Sequence, residues 1–295
     1  MTLLPIISAG MRGRSAMACP AVIHIGDSMT TILATVGDLH INSTVGLLTP
    51  TVNLDDGGTF SSSKGQKFLW RNWLSFWDEV QEVAKKNKAK VWTVFNGDMV
   101  DVFVKYQTVQ LISHNDTDVM DMVLDTIMPA VDASDKIFVV RGTAAHGRQG
   151  APIEEKIAED ISAVEDGDKH SWWHLLLDCD RVLFDITHHG RLGGMQWTKT
   201  NSLNKLVAQL IIKYRNRKIP DVALRSHMHQ YGRSDNSFHM EAYALPAWQL
   251  FTEFTHRIGA IEPPDIGGMY FICDKGQYTP VVKRYPIPQK QTWKG

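Results

Sequence analysis

Five short motifs along this chain carry aspartate and histidine at close spacing, a combination suited to binding metal ions. In chain order the ligand-type residues are Asp38 and His40, then Asp98 and Asp101, then His146, then His188 and His189, then His227 and His229. Carboxylate and imidazole together suit Mn, Fe, Zn or Ni, whereas Ca and Mg prefer oxygen ligands alone. The residue types therefore indicate a transition-metal site.

Each motif directly follows a run of apolar and β-branched residues that predicts a β-strand. These strands are expected over 31–36, 90–95, 136–140, 181–187 and 221–225. Ligands in α/β sheets bind outside the carboxyl ends of the strands. Five polar motifs at that edge therefore predict one shared site.

The spacing within the motifs predicts which residues act together. In an extended segment, side chains two residues apart lie on one side, so Asp38 and His40 would bind one ion as a pair. By the same rule His227 and His229 would face together and reach two adjacent ions, which Asp98 could bridge. Two ions roughly 3.5–4 Å apart can clamp a phosphate group and activate water for in-line attack.

Between the predicted strands, apolar residues recur at helical spacing, which predicts an α/β fold. Helices are expected over 66–86, 117–128, 152–163 and 200–215. The remaining strands are expected over 173–178, which forms a hairpin with 181–187, and over 240–245, 268–273 and 279–284. Residues 50–65 are rich in Gly, Ser, Thr and Asp and predict a loop.

The composition narrows the class of protein. The 295 residues, 43% of them hydrophobic, are enough for one large core, and we predict a single domain over 29–295 after an N-terminal extension over 1–28. The net charge of −1 gives no general attraction to nucleic acid. The three cysteines form no CxxC pair, which fits reducing, cytoplasmic surroundings. No apolar run approaches the roughly 18–20 residues of a membrane helix, so no membrane partner is expected.

The ordered motifs resemble the calcineurin-like metallophosphoesterase superfamily. The resemblance rests on Asp-x-His at 38–40, Gly-Asp-x-x-Asp at 97–101, a Gly-x-x-x-His variant at 142–146, a histidine at 188–189 and His-x-His at 227–229, and it extends over most of the chain. The tryptophan-rich helix and the RGTAAHG and PAWQL segments are similar to phage-encoded members. The family implies a four-layer αββα sandwich of two mixed sheets flanked by helices, and metal-dependent hydrolysis of a phosphate monoester or diester.

The resemblance also implies a role for each residue. The first ion would be held by residues of four motifs, namely Asp38, His40, Asp98 and His229. The second would be held by Asp98, His227 and one of His188 or His189. Asp101 would orient the site, and His146 would protonate the leaving group or stabilise charge. The expected cofactors are two divalent ions, Mn²⁺ or else Fe, Zn or Ni, and the expected partner is a phosphate-ester substrate, with a nucleotide or nucleic acid as one option.

Two positions depart from the family pattern. Thr143 stands where the family has an asparagine that binds the second ion, and Ser226 replaces a glycine. The first departure supports an alternative reading, a catalytically inactive, metal-stabilised scaffold that binds another protein. A serine or cysteine hydrolase is disfavoured because the chain has no Gly-x-Ser-x-Gly motif and its cysteines lack a reactive context.

Overall fold

The computed structural model describes residues 22–23, 30–102, 110–144, 146, 152–190, 198–257 and 262–288. Within these residues the strands are β1 (Val22–Ile23), β2 (Thr31–Val36), β3 (Thr51–Asn53), β4 (Thr59–Ser61), β5 (Lys90–Asn96), β6 (Lys136–Val140), β7 (Ser171–Trp172), β8 (Leu175–Cys179), β9 (Val182–His189), β10 (Val222–Ser226), β11 (Gly232–Arg233), β12 (Glu241–Ala244), β13 (Ile266–Asp274) and β14 (Gln277–Tyr285). The helices are α1 (Lys64–Asn87), α2 (Asp116–Asp132), α3 (Pro152–Asp160), α4 (Lys199–Lys213) and α5 (Glu253–Arg257).

The strands form two mixed, six-stranded sheets and one small hairpin. Sheet I has the order β1-β8-β9-β10-β12-β11, and sheet II has the order β14-β13-β2-β5-β6-β7. The central strands β2, β5 and β6 of sheet II run parallel, as do β9, β10 and β12 of sheet I. The carboxyl ends of the parallel strands of each sheet therefore meet at one edge of that sheet.

Alternating side chains along the strands explain the stacking of the layers. Ile32 and Val36 of β2 belong to a core cluster with α1, α2 and α3, whereas Leu33 belongs to the cluster between the two sheets. A third cluster joins Leu203 and Val207 of α4 to the other face of sheet I. Successive strand residues point to opposite faces, so both faces of each sheet are covered. The predicted four-layer αββα sandwich is confirmed.

The helix α1 is built by two separate sequence signals. Ser63 and Gln66 form a capping box at its start, in which each side chain binds the other residue's backbone N–H. On its inner face Trp73 packs edge-on against Trp248, with ring centroids 5.0 Å apart. The backbone N–H of Trp248 in turn donates to the carbonyl of Asp38 at 3.0 Å. The aromatic core therefore supports the loop that carries the first motif.

The predicted strands and helices are found within a few residues of their expected bounds. The loop predicted over 50–65 is wrong in part, because it contains the hairpin of β3 and β4. Most of the extension predicted over 1–28 lies outside the described residues, although β1 pairs in parallel with β8. Among the described residues, no helix is both long enough and apolar enough to cross a membrane.

Candidate metal centre

The five motifs meet at the carboxyl ends of β2, β5, β6, β9 and β10, as the sequence predicts. Backbone hydrogen bonds join the first two loops, from Asp38 N–H to the Gly97 carbonyl and from His40 N–H to the Asp98 carbonyl, both 3.0 Å long. The third loop joins them through Thr143, whose N–H donates to Asp98 Oδ1 at 2.5 Å. Loops from sheet II and sheet I thus converge on one cluster of ligand-type side chains.

The backbone at these positions is in the left-handed region, which non-glycine residues seldom adopt. The residues that share this conformation are Asp38 (φ 53°), His40 (φ 46°), Asp98 (φ 50°), His227 (φ 76°) and His229 (φ 53°). The prediction that Asp-x-His and His-x-His are extended is therefore wrong, although the side chains do converge. Each such conformation costs of order 1–3 kcal/mol and clusters at functional sites.

The first donor group consists of Asp38, His40 and His229. The Nε2 atoms of the two histidines lie 3.2 Å apart, and Asp38 Oδ1 lies 3.5 Å from His229 Nε2 and 4.0 Å from His40 Nε2. Ligands about 2.1 Å from one ion lie about 3.0–3.4 Å apart in octahedral or tetrahedral geometry. The three atoms are thus spaced much as the corners of one coordination shell.

The second donor group consists of Asp98, His188 and His227. Asp98 Oδ2 lies 2.9 Å from His188 Nε2 and 3.7 Å from His227 Nδ1. A third group contains Asp98 with His40 and His146, so Asp98 also lies beside a residue of the first donor group. His227 and His229 belong to two neighbouring groups rather than to one.

Hydrogen bonds on the outer side of the histidine rings fix which nitrogen faces inward. His188 Nδ1 lies 2.7 Å from the Asn96 carbonyl, and His40 Nδ1 lies 3.0 Å from Asp101 Oδ1. Both partners can only accept a hydrogen bond, so each Nδ1 carries a proton. Each ring in its neutral form therefore directs the lone pair of Nε2 inward. The inward Nε2 of His188 then faces a carboxylate oxygen of Asp98. Two acceptors at that distance require a cation between them, either a proton or a metal ion.

Asp38 provides a second observation that fits a cation. Its Oδ2 accepts the backbone N–H of His227 at 2.9 Å, whereas its buried Oδ1 has no hydrogen-bond partner among the described residues. That oxygen faces the histidines of the first group and lies 3.9 Å from His188 Nε2 of the second. A buried carboxylate oxygen without a partner is costly unless a cation satisfies it. The donor set therefore fits divalent ions of the Mn, Fe, Zn or Ni type.

The electrostatics of the centre follow from burial and close opposite charges. Burial alone would raise the pKa of Asp98, but the adjacent His188 outweighs it and holds that pKa well below its usual range. Burial would lower the pKa of His188, but Asp98 and Asp38 outweigh it and raise that pKa to about 10. A proton therefore occupies the His188–Asp98 pair at neutral pH unless a metal ion displaces it.

His146 and Asp101 form a pair at the side of the two groups. His146 Nδ1 lies 2.6 Å from Asp101 Oδ1, and its Nε2 lies 3.8 Å from Asp98 Oδ2. Burial would lower the pKa of His146, but the hydrogen bond to Asp101 and the nearby carboxylates raise it to about 9. His146 is 23% exposed, so its Nε2–H can meet a substrate. Asp101 Oδ1 accepts from the Nδ1 atoms of both His146 and His40.

The structure separates the two neighbouring histidines at the end of β9. His188 is buried within the second donor group, whereas His189 is exposed, with its ring centroid 5.2 Å from those of His188 and His227. This placement favours His188 as the ligand. Thr143 also lies at this group, with its hydroxyl oxygen 3.2 Å from His227 Nδ1.

Sequence reasoning missed Glu154, which stands in the first turn of α3. Glu154 is 6% exposed, and its carboxylate accepts from Gly142 N–H at 2.7 Å and from Met99 N–H at 3.4 Å. Burial, together with the charge of Asp98, raises the pKa of Glu154 to about 7. Its carboxylate joins the loops after β5 and β6, and no local sequence pattern distinguishes it from a helix-capping acid.

Two glycines allow the loops to approach each other this closely. Gly97 has a φ of 79°, and a side chain there would clash with the ring of His188. A Cβ atom at Gly142 would clash with the backbone nitrogen and the carboxylate of Asp98. The Gly-Asp pair after β5 is therefore required by the packing of the site as well as by the turn.

No protein-family model matches the chain, and no curated protein sequence matches it. Among solved structures, Vacuolar Protein Sorting 29 from Cryptosporidium parvum has a TM-score of 0.42 and 9% identity, over 87% of this chain and 98% of that one. A dimetal phosphatase from Danio rerio has a TM-score of 0.38 and 10% identity, over 88% and 96%. Both TM-scores are below 0.5, so neither similarity indicates the function of this chain.

Proposed function

We propose that this protein is a calcineurin-like metallophosphoesterase that hydrolyses a phosphate ester at a centre of two divalent metal ions. The observation that carries the proposal is the pair of neighbouring donor groups, Asp38–His40–His229 and Asp98–His188–His227. In each group one carboxylate oxygen and two imidazole nitrogens lie close enough together to bind one cation. Two adjacent cation sites at the edge of two sheets are suited to binding the oxygens of one phosphate group.

Asp98 is the residue that we propose to contact both ions. Its Oδ2 faces His188 and His227, and its Oδ1 is held by the N–H of Thr143. When bound, the two ions supply Lewis-acid polarisation of the phosphate and lower the pKa of a water molecule. The protein's part is to hold the donor atoms rigidly, which the buried loops and their backbone hydrogen bonds do.

His146 is the residue that we propose as the proton donor to the leaving group. Asp101 accepts from its Nδ1, which leaves Nε2–H directed toward the donor groups. A general acid held in this way contributes typically about 10²–10⁴ in rate. Asp101 acts through His146 and His40 and is a positioning residue.

The test is hydrolysis of bis-p-nitrophenyl phosphate and p-nitrophenyl phosphate by metal-free protein to which Mn²⁺ is returned. We expect Mn²⁺-dependent turnover that Asp98→Ala abolishes and that Asp121→Ala, an exposed acid on α2, leaves intact. The preferred ester separates a diesterase from a monoesterase. A nucleotide or nucleic-acid substrate, which is part of the same proposal, is tested by repeating the assay on cyclic nucleotides and single-stranded DNA.

One observation favours a second candidate function. Thr143 stands where the family has a metal-binding asparagine, and its hydroxyl is directed to His227 Nδ1. It therefore adds no separate metal ligand to the second donor group. A weakened second ion would leave a metal-stabilised scaffold without turnover. Protein that binds metal fully yet hydrolyses none of these esters would favour that scaffold over the enzyme.

A further inference from the structure

A groove with a volume of about 600 Å³ lies on the outer side of the α1–α2 layer, away from the metal centre. Its apolar part includes Trp70, Trp77 and Met128, and Met128 is 41% exposed. Trp77 is 2% exposed, and its indole N–H has no acceptor among the described residues. An apolar concave surface of this size is typical of a binding site.

Three carboxylates border the same groove and have no counter-charge among the described residues. Asp78, Asp125 and Asp132 are all exposed. None of the three forms an ion pair with a described lysine, arginine or histidine, and no basic residue lines the groove. An occupant of this groove should therefore be apolar in the middle and positively charged around it.

The same chain carries a surface of that kind at the carboxyl end of α4. Ile212 is 63% exposed and Ile219 is 38% exposed, although both are large and apolar. Between them stand four exposed cations, namely Lys213, Arg215, Arg217 and Lys218. We call residues 212–219 the basic patch.

Two of these cations are partly offset within the molecule. Lys213 Nζ lies 3.8 Å from Asp185, and Lys218 Nζ lies 3.9 Å from Asp178. Arg215 forms no ion pair with a described residue. It is therefore the cation of the patch that is best placed to pair with a carboxylate of another molecule.

We propose that the basic patch of one molecule docks into the acidic, apolar groove of a second copy of this chain. The isoleucines would cover Met128 and Trp70, and the cations would face the three aspartates of the groove. Because the two surfaces differ, the contact is head-to-tail and propagates into a ring or an open chain of molecules. The patch follows α4 at the amino ends of β9 and β10, and the groove lies outside α1 and α2. The metal centre at the carboxyl ends stays open in such an assembly.

The test is the molar mass of the full chain, measured by sedimentation velocity over a range of concentrations. At low ionic strength we expect a mass above the 33.2 kDa of one chain that rises with concentration. We expect it to fall in about 1 M salt, where the Debye length is about 3 Å. Asp125→Lys and Arg215→Glu should each reduce association, whereas Glu159→Lys, on α3 outside both surfaces, should not.

One mixture and one double variant distinguish this contact from non-specific association. Equal amounts of Asp125→Lys and Arg215→Glu should associate again, because the intact patch of the first fits the intact groove of the second and the two reversed charges also attract each other. The double variant, with both charges reversed, should regain self-association. A wild-type chain that stays at the mass of one molecule, or association that neither reversal changes, would overturn the proposal. Neither outcome depends on hydrolysis, so failure of this proposal would not contradict the proposed function.

Discussion

At the scale of single residues, the outer ring nitrogens of His40 and His188 determine the chemistry of the centre. Asp101 and the Asn96 carbonyl accept hydrogen bonds from the two Nδ1 atoms, so both rings direct Nε2 to the interior. His146 makes the same contact with Asp101, but it is 23% exposed, and with its pKa raised to about 9 its Nε2 carries a proton at neutral pH. Two histidines that share a hydrogen-bond partner therefore differ in exposure, and only His146 can reach a substrate.

This difference predicts the behaviour of His146→Ala. We expect kcat to fall by about 10²–10⁴, the contribution typical of a general acid, while the protein still binds two metal ions. Metal analysis and steady-state kinetics on the same sample check both points. His189→Ala, which removes an exposed imidazole near the site, is the matched control. Loss of a metal ion from His146→Ala would show that this residue is a ligand instead.

Glu154→Ala tests a residue that acts at a distance from the substrate. The variant leaves the N–H groups of Gly142 and Met99 without their acceptor, which costs about 1–3 kcal/mol for each buried group. We expect a lower free energy of unfolding and a kcat at least about tenfold lower, with a smaller change in KM. Glu154→Gln, which keeps one acceptor oxygen, should recover part of both. Equal kcat values for Ala and wild type would contradict the positioning role.

At the scale of elements, a buried ion pair joins β9, β10 and α4 beneath the metal centre. Arg225 donates to Asp185 Oδ1 at 2.6 Å, and Asp185 Oδ2 lies 2.8 Å from both His174 Nε2 and the Tyr214 hydroxyl. Arg225 stands two residues before His227, and Asp185 stands three before His188. The pair therefore fixes the strand ends that present ligands of the second donor group.

The same pair predicts a dependence of stability on pH. Burial raises the pKa of Asp185, but the hydrogen bond from His174 and the charge of Arg225 outweigh it and lower that pKa below its ordinary value. The carboxylate therefore stabilises the fold above about pH 4, and this contribution is lost as the pH falls through the lowered pKa.

Asp185→Asn should lower the free energy of unfolding by about 3–5 kcal/mol at pH 7, because Arg225 is left buried without a counter-charge. The difference from wild type should shrink as the pH falls below about 4. Urea unfolding at a series of pH values measures it, with Asp121→Asn on the exposed face of α2 as control. A difference that stays constant down to pH 2 would argue against the linkage.

At the scale of the whole molecule, the centre lies between two sheets that also share an apolar core cluster. Ions that bind only the folded chain should stabilise it by about 2.7 kcal/mol at 100 times the dissociation constant. We therefore expect the thermal midpoint to rise by several degrees when Mn²⁺ is added to metal-free protein. Asp38→Ala should lose most of this shift. An identical midpoint with and without metal would contradict binding at the shared edge.

Much of this architecture could be predicted from the sequence, because periodicity marks strands and helices and polar motifs mark strand ends. The left-handed backbone conformation of His40 and Asp98 could not be predicted, because it depends on contacts between the loops. The choice between His188 and His189 depends on which ring is buried, which two adjacent histidines do not reveal. Arg225 and Glu154 could not be assigned either, because their partners lie 40 and 12 residues away in the chain.

The most direct test of the dinuclear centre is a titration of Mn²⁺ into metal-free protein. Bound metal is measured on the same samples as the hydrolysis of bis-p-nitrophenyl phosphate and p-nitrophenyl phosphate. We expect two ions per chain, turnover of at least one ester that rises chiefly with the second ion, and loss of both from Asp98→Ala. Full turnover with one ion bound would contradict the dinuclear centre. Two ions bound with no turnover of either ester would contradict the assignment as an enzyme.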